Sequence, residues 1–349
     1  MKLKKWVKVA IGVLAGTSII SICGYVGVNM YVDSMLDNLN KTDDIKEEEV
    51  SIADSVKEQV INTNVVNIAL FGTDHDGGEG DDSFERSDAT KIISLDMDHK
   101  TIMITNLQRD NIIYIPDPIN DFDKLNHAHW YGGPQLAVKT INANFDLDIT
   151  KYVGFSFDSL ERIVDLVGGV DIYLTRAEIS QQIKPLGVYG DAGVYHLNGY
   201  QALTYCRIRE IDSDYTRMER QNNVIMAIID KVKDKNILEL VDLANQIMPY
   251  IETNLSNEDI KSYLMSLLTF DLSNIKQYQV PEGGFDDINV RSYKGYHPLY
   301  LLRSYSDMVK QLHKNIYNDD NYQPSEQLLE IEKSIYEYFG EWKVEDSGA

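Results

Sequence analysis

Three short apolar runs, each stopping at charge, constrain this chain more than any other feature. Val65-Val66-Asn67-Ile68-Ala69-Leu70-Phe71 is apolar and β-branched and ends at Gly72-Thr73-Asp74. Arg86-Ser87-Asp88 opens a second run over 89–95, a turn follows at 96–100, and a third run over 101–107 stops at Gln108-Arg109-Asp110. Runs of this length and composition predict buried strands. Carboxylates and guanidinium groups delivered at strand ends line the crevice where α/β sheets bind ligands. Position alone therefore makes Asp74, Arg86, Asp88, Arg109 and Asp110 candidate site residues.

The rest of the chain alternates helix and strand, which places it in the α/β class. A loop carries Lys124-Leu125-Asn126-His127, and Gly132-Gly133-Pro134 starts a helix to about residue 144. A strand over 152–155, a helix over 157–167 closed by Gly168-Gly169, and a strand over 170–174 give β-α-β order. Leu197-Asn198-Gly199 leads into a helix ending near Arg207, and Asp214 is an N-cap for a helix over 215–233. Helices follow at 237–247 and 257–270, then a strand at 275–280. The stretches 298–313 and 324–339 read as helices without chemistry.

Guanidinium is concentrated in one place. Four of the ten arginines, Arg207, Arg209, Arg217 and Arg220, fall within sixteen residues of a chain whose formal net charge is −22. On a helix, Arg217, Arg220 and Gln221 share a face, and Arg207 and Arg209 share a side of an extended segment. Planar forks of donors match phosphate oxygens better than ammonium does. An exposed helix pairing these arginines with Glu210, Asp212, Asp214 and Glu219 fits the segment alone equally well. Asp74 and Asp88 add two carboxylates from adjacent strand ends, a donor set for Mg²⁺, although a strand-end Asp also commonly accepts turn amides. With Arg109 nearby, metal plus guanidinium points to phosphoryl transfer.

Other chemistries are excluded. The acidic field repels nucleic acid, so no nucleic-acid partner is expected. Two distant cysteines give no disulfide framework, and Cys206 reads as a packed thiol. There is no Walker A loop, nucleophile elbow or zinc-binding His-Glu-x-x-His helix. His127 and His129 read as structural hydrogen-bond partners.

The N-terminus supplies location. Lys2, Lys4, Lys5 and Lys8 precede an uncharged, largely apolar stretch over 9–32. As a helix it is about 36 Å long, enough to cross a hydrocarbon core of ~30 Å. Lysines before it and acids after it predict a single-pass type II anchor in the cell membrane, with residues 1–8 cytoplasmic and the bulk of the chain extracellular. Residues 33–64 are polar and read as a stalk, 65–283 as the domain, and 284–349 as a helical extension.

Asn67-Ile68-Ala69-Leu70-Phe71-Gly72-Thr73-Asp74, Arg86-Ser87-Asp88, Gln108-Arg109-Asp110, Lys124-Leu125-Asn126-His127, Val167-Gly168-Gly169-Val170, Leu197-Asn198-Gly199-Tyr200-Gln201-Ala202-Leu203 and Arg217-Met218-Glu219-Arg220-Gln221 together resemble the LytR-CpsA-Psr family in order and spacing. The motifs lie within 65–233. The resemblance implies a central mixed β-sheet flanked by helices (α/β/α) behind one transmembrane helix, with a prenyl chain held between sheet and helices. It implies transfer of an anionic or capsular glycopolymer, such as a wall teichoic acid, from a polyprenyl-pyrophosphate carrier to a peptidoglycan acceptor. Asp74 and Asp88 match the family's Mg²⁺ positions, with Arg86 beside them. Arg109, Arg207, Arg209, Arg217 and Gln221 match its pyrophosphate contacts, while Arg220 supports the helix. Gln108 stands where the family commonly has proline, and Tyr200 where it commonly has glutamate. Asp88 and Asp110 are both candidates for the general base. A pyrophosphatase using water, or a non-catalytic polyprenyl-phosphate binder that regulates the envelope, are the alternatives.

Overall fold

The three charge-terminated runs are adjacent strands of one sheet. A computed structural model describes residues 40–60, 63–73, 84–180, 187–208, 211, 213–235, 237–267 and 269–341. In chain order the strands are β1 (Asn40–Lys41), β2 (Val65–Thr73), β3 (Ser87–Asp96), β4 (Thr101–Leu107), β5 (Ile112–Ile115), β6 (Asp121–Lys124), β7 (Lys151–Ser156), β8 (Val170–Leu174), β9 (Gly193–Leu197), β10 (Glu252–Thr253), β11 (Lys276–Val280), β12 (Ile288–Tyr293) and β13 (Tyr296–Leu302). The longer helices are α1 (Asp54–Val60), α2 (Leu125–Phe145), α3 (Phe157–Leu166), α4 (Gly199–Cys206), α5 (Asp214–Val232), α6 (Ile237–Ile247), α7 (Asn257–Leu267), α8 (Tyr305–Tyr317) and α9 (Glu326–Phe339).

Seven strands form a mixed sheet in the order β1-β10-β7-β2-β3-β4-β11. The β2–β3 and β3–β4 pairs are antiparallel, whereas β2–β7 and β4–β11 are parallel. Period-2 alternation splits the strand side chains between two layers. Ala69, Phe71, Ile92 and Leu107 enter the core shared with α2, α8 and α9. Ile68, Leu95 and Ile102 pack on the opposite face with residues of α7 and the segment after it. On that second face α3, α4, α5 and the β8–β9 ribbon build a core of their own, joined to the sheet through Phe155. Burying one such aliphatic or aromatic side chain contributes roughly 1.5–3 kcal/mol.

Several sequence expectations are corrected. The stretch read as a stalk is, from residue 40 onward, part of the domain. Ile45, Val50, Ile52, Val56 and Val60 are buried in the main core, and β1 pairs with β10. The acidic residues between them raised the average polarity and hid five well-spaced apolar anchors. The presumed C-terminal extension is likewise integral. Ile288, Leu299, Leu301 and Leu302 of the β12–β13 ribbon, with α8 and α9, complete the same core. Residues 298–302, read as the start of a helix, belong instead to β13, and the helix starts only after the Ser304 cap. Pro298 is tolerated because a two-stranded ribbon leaves half its N–H groups outside the ladder. Strand β8 does not join the central sheet but pairs antiparallel with β9. Its alternating burial, with Asp171 and Tyr173 exposed, suits a strand covered on one face. Helix α2 starts at Leu125 rather than after the Gly132-Gly133 pair, where the backbone breaks from helical geometry. The expected membrane span at 9–32 lies outside the described residues, and no helix among those described is long and apolar enough to cross a membrane.

The connection into α4 is unusually close. Asn198 caps the helix reciprocally with Gln201, and a Cβ on Gly199 would lie 2.1 Å from the Glu161 carbonyl oxygen of α3. Gly199→Ala is therefore expected to destabilise the domain by about 2 kcal/mol or more, read as a lowered thermal midpoint. An unchanged midpoint would mean that α3 and α4 can separate without loss.

Candidate active site

The site forms where β2 ends, β3 begins and β4 ends. Gly72 pairs with Ala89 but Thr73 pairs with Ser87, so Asp88 is the extra residue of a β-bulge. Bulges re-aim side chains at sheet ends. Asp88 thus stands opposite the last residues of β2, whose next residue in sequence is Asp74. Asp74 and Arg209 lie outside the described residues.

The turn after β4 is pinned by backbone bonds on three sides. Gln108 N donates to Val280 O of β11 (3.1 Å), Asn126 N of α2 donates to Arg109 O (3.2 Å), and Tyr300 N of β13 donates to Asp110 O (2.8 Å). Gln108 is fully buried, and its backbone N–H bond to Val280 anchors the loop to β11. The C-terminal ribbon is thereby part of the scaffold that aims Arg109.

The side chains there alternate in charge. Arg109 Nη1 donates to Asp88 Oδ1 at 2.6 Å, and its Nε lies 3.4 Å from Asp110 Oδ2. Lys124 Nζ donates to the other Asp110 oxygen at 2.6 Å. All four side chains are at most one-fifth exposed, which strengthens each interaction relative to water. Lys124 is a residue the sequence reading quoted without assigning to the site. Its signal was a lone lysine placed directly before a buried helix start.

Helix α5 brings the second set. Ser213, rather than Asp214, caps it through Thr216 N. Arg217 and Gln221 are buried, 2% and 6% exposed. Arg220 is equally buried but is held away for another task. Its Nε donates to Glu178 Oε1 at 2.7 Å and its Nη1 to Ile208 O at 3.2 Å, tying α5 to the turn after β8 and to the end of α4. Arg207 caps α4 at the surface, with its guanidinium 4.9 Å from the Phe157 ring centroid. Arg86 is exposed and stacks 4.8 Å over the Trp130 ring of α2. The structure thus brings Asp88, Arg109, Asp110 and Lys124 into one chain of ion pairs, hydrogen-bonded at its two ends, and buries Arg217 and Gln221 on α5. Arg207 and Arg86 sit on aromatic faces at the surface.

The sequence reading also missed Lys91. This lysine lies within β3, 2% exposed, and donates to Asn106 Oδ1 of β4 (2.5 Å) and Asn222 Oδ1 of α5 (2.8 Å). Burial pushes its ammonium from 10.5 down to about 7, and the like charge of Arg217 acts in the same direction. A lysine in the middle of a run expected to be a buried strand was the available signal. Burial pushes the neighbouring Cys206 thiol up to about 12, so it is a neutral packing group at pH 7. His127 pairs with Asp123 (2.9 Å) and His129 Nδ1 donates to Glu85 O (2.7 Å), the structural roles expected of them.

For Mg²⁺ the donor chemistry fits. Asp88 supplies a hard carboxylate oxygen at the sheet edge, and Mg²⁺ is commonly held by one or two carboxylates together with substrate phosphates. Among the described residues no group of three or more His, Cys, Asp or Glu is arranged to hold a metal. Beside this edge a cavity of about 460 Å³ opens between Thr73, Glu85, Phe155, Ser156, Tyr250 and Glu252.

Comparison with known proteins finds relatives along most of the chain. Polyisoprenyl-teichoic acid–peptidoglycan teichoic acid transferase TagT of Bacillus subtilis (strain 168) is 31% identical over 333 residues, covering 91% of this chain and 95% of TagT. A solved structure of TagT bound to LIIa-WTA matches with a TM-score of 0.58 at 26% identity, over 74% of this chain and 91% of that one. The LytR-CPS2A-psr family protein YwtF (TagT) with bound octaprenyl pyrophosphate lipid matches with a TM-score of 0.53 at 25% identity, over 73% and 91%. The LytR_cpsA_psr family profile matches residues 25–314, running through segments on both sides of 65–283 that pack into the same core. A shared fold and a family match over most of its length establish that this chain belongs to the LytR_cpsA_psr family.

Proposed function

We propose that this protein is a membrane-anchored phosphotransferase that moves an anionic or capsular glycopolymer from a polyprenyl-pyrophosphate carrier to peptidoglycan on the outer face of the membrane. The observation that carries the reading is the Asp88–Arg109–Asp110–Lys124 chain at the sheet edge, on a scaffold that also buries Arg217 and Gln221 on α5. Relatives named as teichoic acid transferases, and one solved with octaprenyl pyrophosphate, support the donor class.

Arg109 is stored on Asp88 and Asp110. An incoming pyrophosphate takes over the guanidinium as a stronger, bidentate partner, which releases Asp88 Oδ1. Lys124 keeps Asp110 neutralised, so Asp110 holds Arg109 in position. Asp88 is therefore the better placed of the two base candidates to receive the proton of an acceptor hydroxyl. Arg207, Arg209, Arg217 and Gln221 complete the anion site. Asp74 and Asp88 are the residues that would hold Mg²⁺, which when bound would add charge neutralisation at the pyrophosphate. Catalysis is then alignment and charge stabilisation rather than covalent chemistry. The acceptor glycan enters through the cavity beside Thr73 and Ser156, where hydroxyl, carboxylate and aromatic groups suit a sugar. The span at 9–32 anchors the chain in type II orientation, and fractionation with protease protection tests it.

The decisive experiment reconstitutes the full chain in vesicles with a lipid-linked glycan and peptidoglycan. Polymer attached to peptidoglycan is the expected product. Free phosphorylated polymer alone would identify a hydrolase, and lipid binding without turnover would identify a binding protein. Asp88→Asn is expected to lower attachment about 100-fold and to raise the Mg²⁺ concentration needed for half-maximal rate. Attachment undiminished in EDTA would remove the metal from the mechanism and leave the arginines in place.

A further inference from the structure

Lys91 is a buried, ionisable side chain in the middle of β3. It lies three residues into β3 from Asp88, about 10 Å along the strand. It occupies the sheet face that carries Ile93 and Leu95, between sheet and α5. Its register partner is Asn106, whose side-chain oxygen accepts from it, and Asn222 of α5 accepts the second bond. Asn222 is held in turn, donating to Gln277 of β11 at 2.7 Å. This polar line spans β3, β4, β11 and α5. Amide oxygens solvate an ammonium but do not neutralise it. The ionisable groups acting on Lys91 among the described residues are Arg217 of α5, a like charge, and Cys206 of α4, a neutral thiol at pH 7. When protonated, Lys91 thus shares its surroundings with the Arg217 charge, and an anion bound there would meet both.

We propose that Lys91 is a further anion-holding residue that, with Arg217, binds the lipid-side phosphate of the pyrophosphate from within the layer between sheet and α5. The inference rests on the donor class proposed above. Arg109 and Asp88 sit at the rim, where the sugar-side phosphorus must meet the acceptor. The prenyl chain runs inward, so the phosphate bonded to it is the deeper of the two. When the acceptor oxygen bonds the sugar-side phosphorus, the bond from that phosphorus to the bridging oxygen breaks. The bridging oxygen keeps the electron pair and leaves as polyprenyl phosphate. The acceptor proton goes to the base at the rim. Lys91 stays protonated throughout and donates a hydrogen bond to the charge that accumulates on the leaving phosphate.

The test titrates the full chain in detergent with a fluorescent polyprenyl pyrophosphate and with polyprenyl monophosphate between pH 6 and 9. Wild type is compared with Lys91→Met, Lys91→Arg, Arg109→Ala and Arg217→Ala. In the free protein the ammonium is half-deprotonated near pH 7, and the anion raises that midpoint. Wild-type affinity therefore falls by up to about tenfold per pH unit above 7, relative to Lys91→Met, whose affinity lacks this component. Below pH 7, Lys91→Met binds both lipids about 10- to 100-fold more weakly, while Lys91→Arg keeps affinity and loses the pH dependence. Equal affinity and equal pH slope in wild type and Lys91→Met would overturn the proposal. If Arg109→Ala and Arg217→Ala also bind normally, the pyrophosphate site itself is misassigned. If they bind weakly and Lys91→Met does not, only the role of Lys91 fails.

Folding supplies a second readout without ligand. Below about pH 7 Lys91 is charged in both states and opposes folding in full. Between about 7 and 10.5 the folded state sheds a proton that the unfolded chain keeps, so stability rises with pH. Lys91→Met is expected to lose that rise, and its persistence would mean that Lys91 is not the buried cation described.

Discussion

The chain cut after Gly283 is expected to be recovered without a cooperative fold. Leu299, Leu301, Leu302, Val309, Leu312 and Leu328 all lie beyond the cut and are buried in the core shared with α2 and the sheet. At roughly 1.5–3 kcal/mol each, their loss matches or exceeds the ~5–15 kcal/mol by which a domain is stable. Polar ties are lost as well. Tyr305 donates to Ile112 O at 2.6 Å, and the buried Asp146 carboxylate accepts from Ser325 N (2.7 Å), Ser325 Oγ (2.6 Å) and Tyr322 OH (2.9 Å). Without these donors Asp146 faces an apolar cavity. Circular dichroism with urea titration reads the outcome. A truncated chain that melts cooperatively within a few degrees of the full one would restore 284–349 to the status of an appendage.

Arg217→Ala and Arg220→Ala, three residues apart on α5, are expected to fail in opposite ways. Arg217→Ala should lower polymer attachment about 100- to 1,000-fold, the effect of removing a positioned charge from a transition state, while the fold persists. Arg220→Ala should instead destabilise the protein by about 3 kcal/mol or more, because it leaves Glu178 buried and charged without the guanidinium 2.7 Å away. Paired measurements of thermal midpoint and attachment rate distinguish them. Similar losses of rate at unchanged stability in both variants would mean that Arg220 also touches substrate.

Much of this was legible in the sequence because the strand ends carry the information. β2, β3 and β4 were bounded to within two residues by Gly72, Asp88 and Gln108, since apolar runs stop where the sheet meets solvent. The closing glycines after α3 and the Asn198-Gly199 entry into α4 were similarly local, whereas the cap of α5 falls on Ser213 and not on Asp214. What could not be read depends on partners distant in sequence. Lys91 and Asn222 are 131 residues apart, and a strand lysine has no buried meaning until α5 is laid over it. Lys124 needed Asp110 opposite it across a hairpin, β5–β6, that gave no clear periodic signal. The β12–β13 ribbon was obscured because Pro298 and the following Leu-Tyr-Leu-Leu fit a helix start and an edge strand equally well until Ser304 fixed the cap.

The docking of β1 onto β10 also sets a length. With the proposed span ending at Val32 and the sheet beginning at Asn40, only residues 33–39 join them, at most about 25 Å when fully extended. On so short a leash the Asp88–Arg109 edge would stay near the bilayer of the proposed anchor. Under the proposed anchoring, a lipid-linked donor diffusing in the plane of the membrane would stay within reach, and a peptidoglycan acceptor would have to pass close to the bilayer to be decorated.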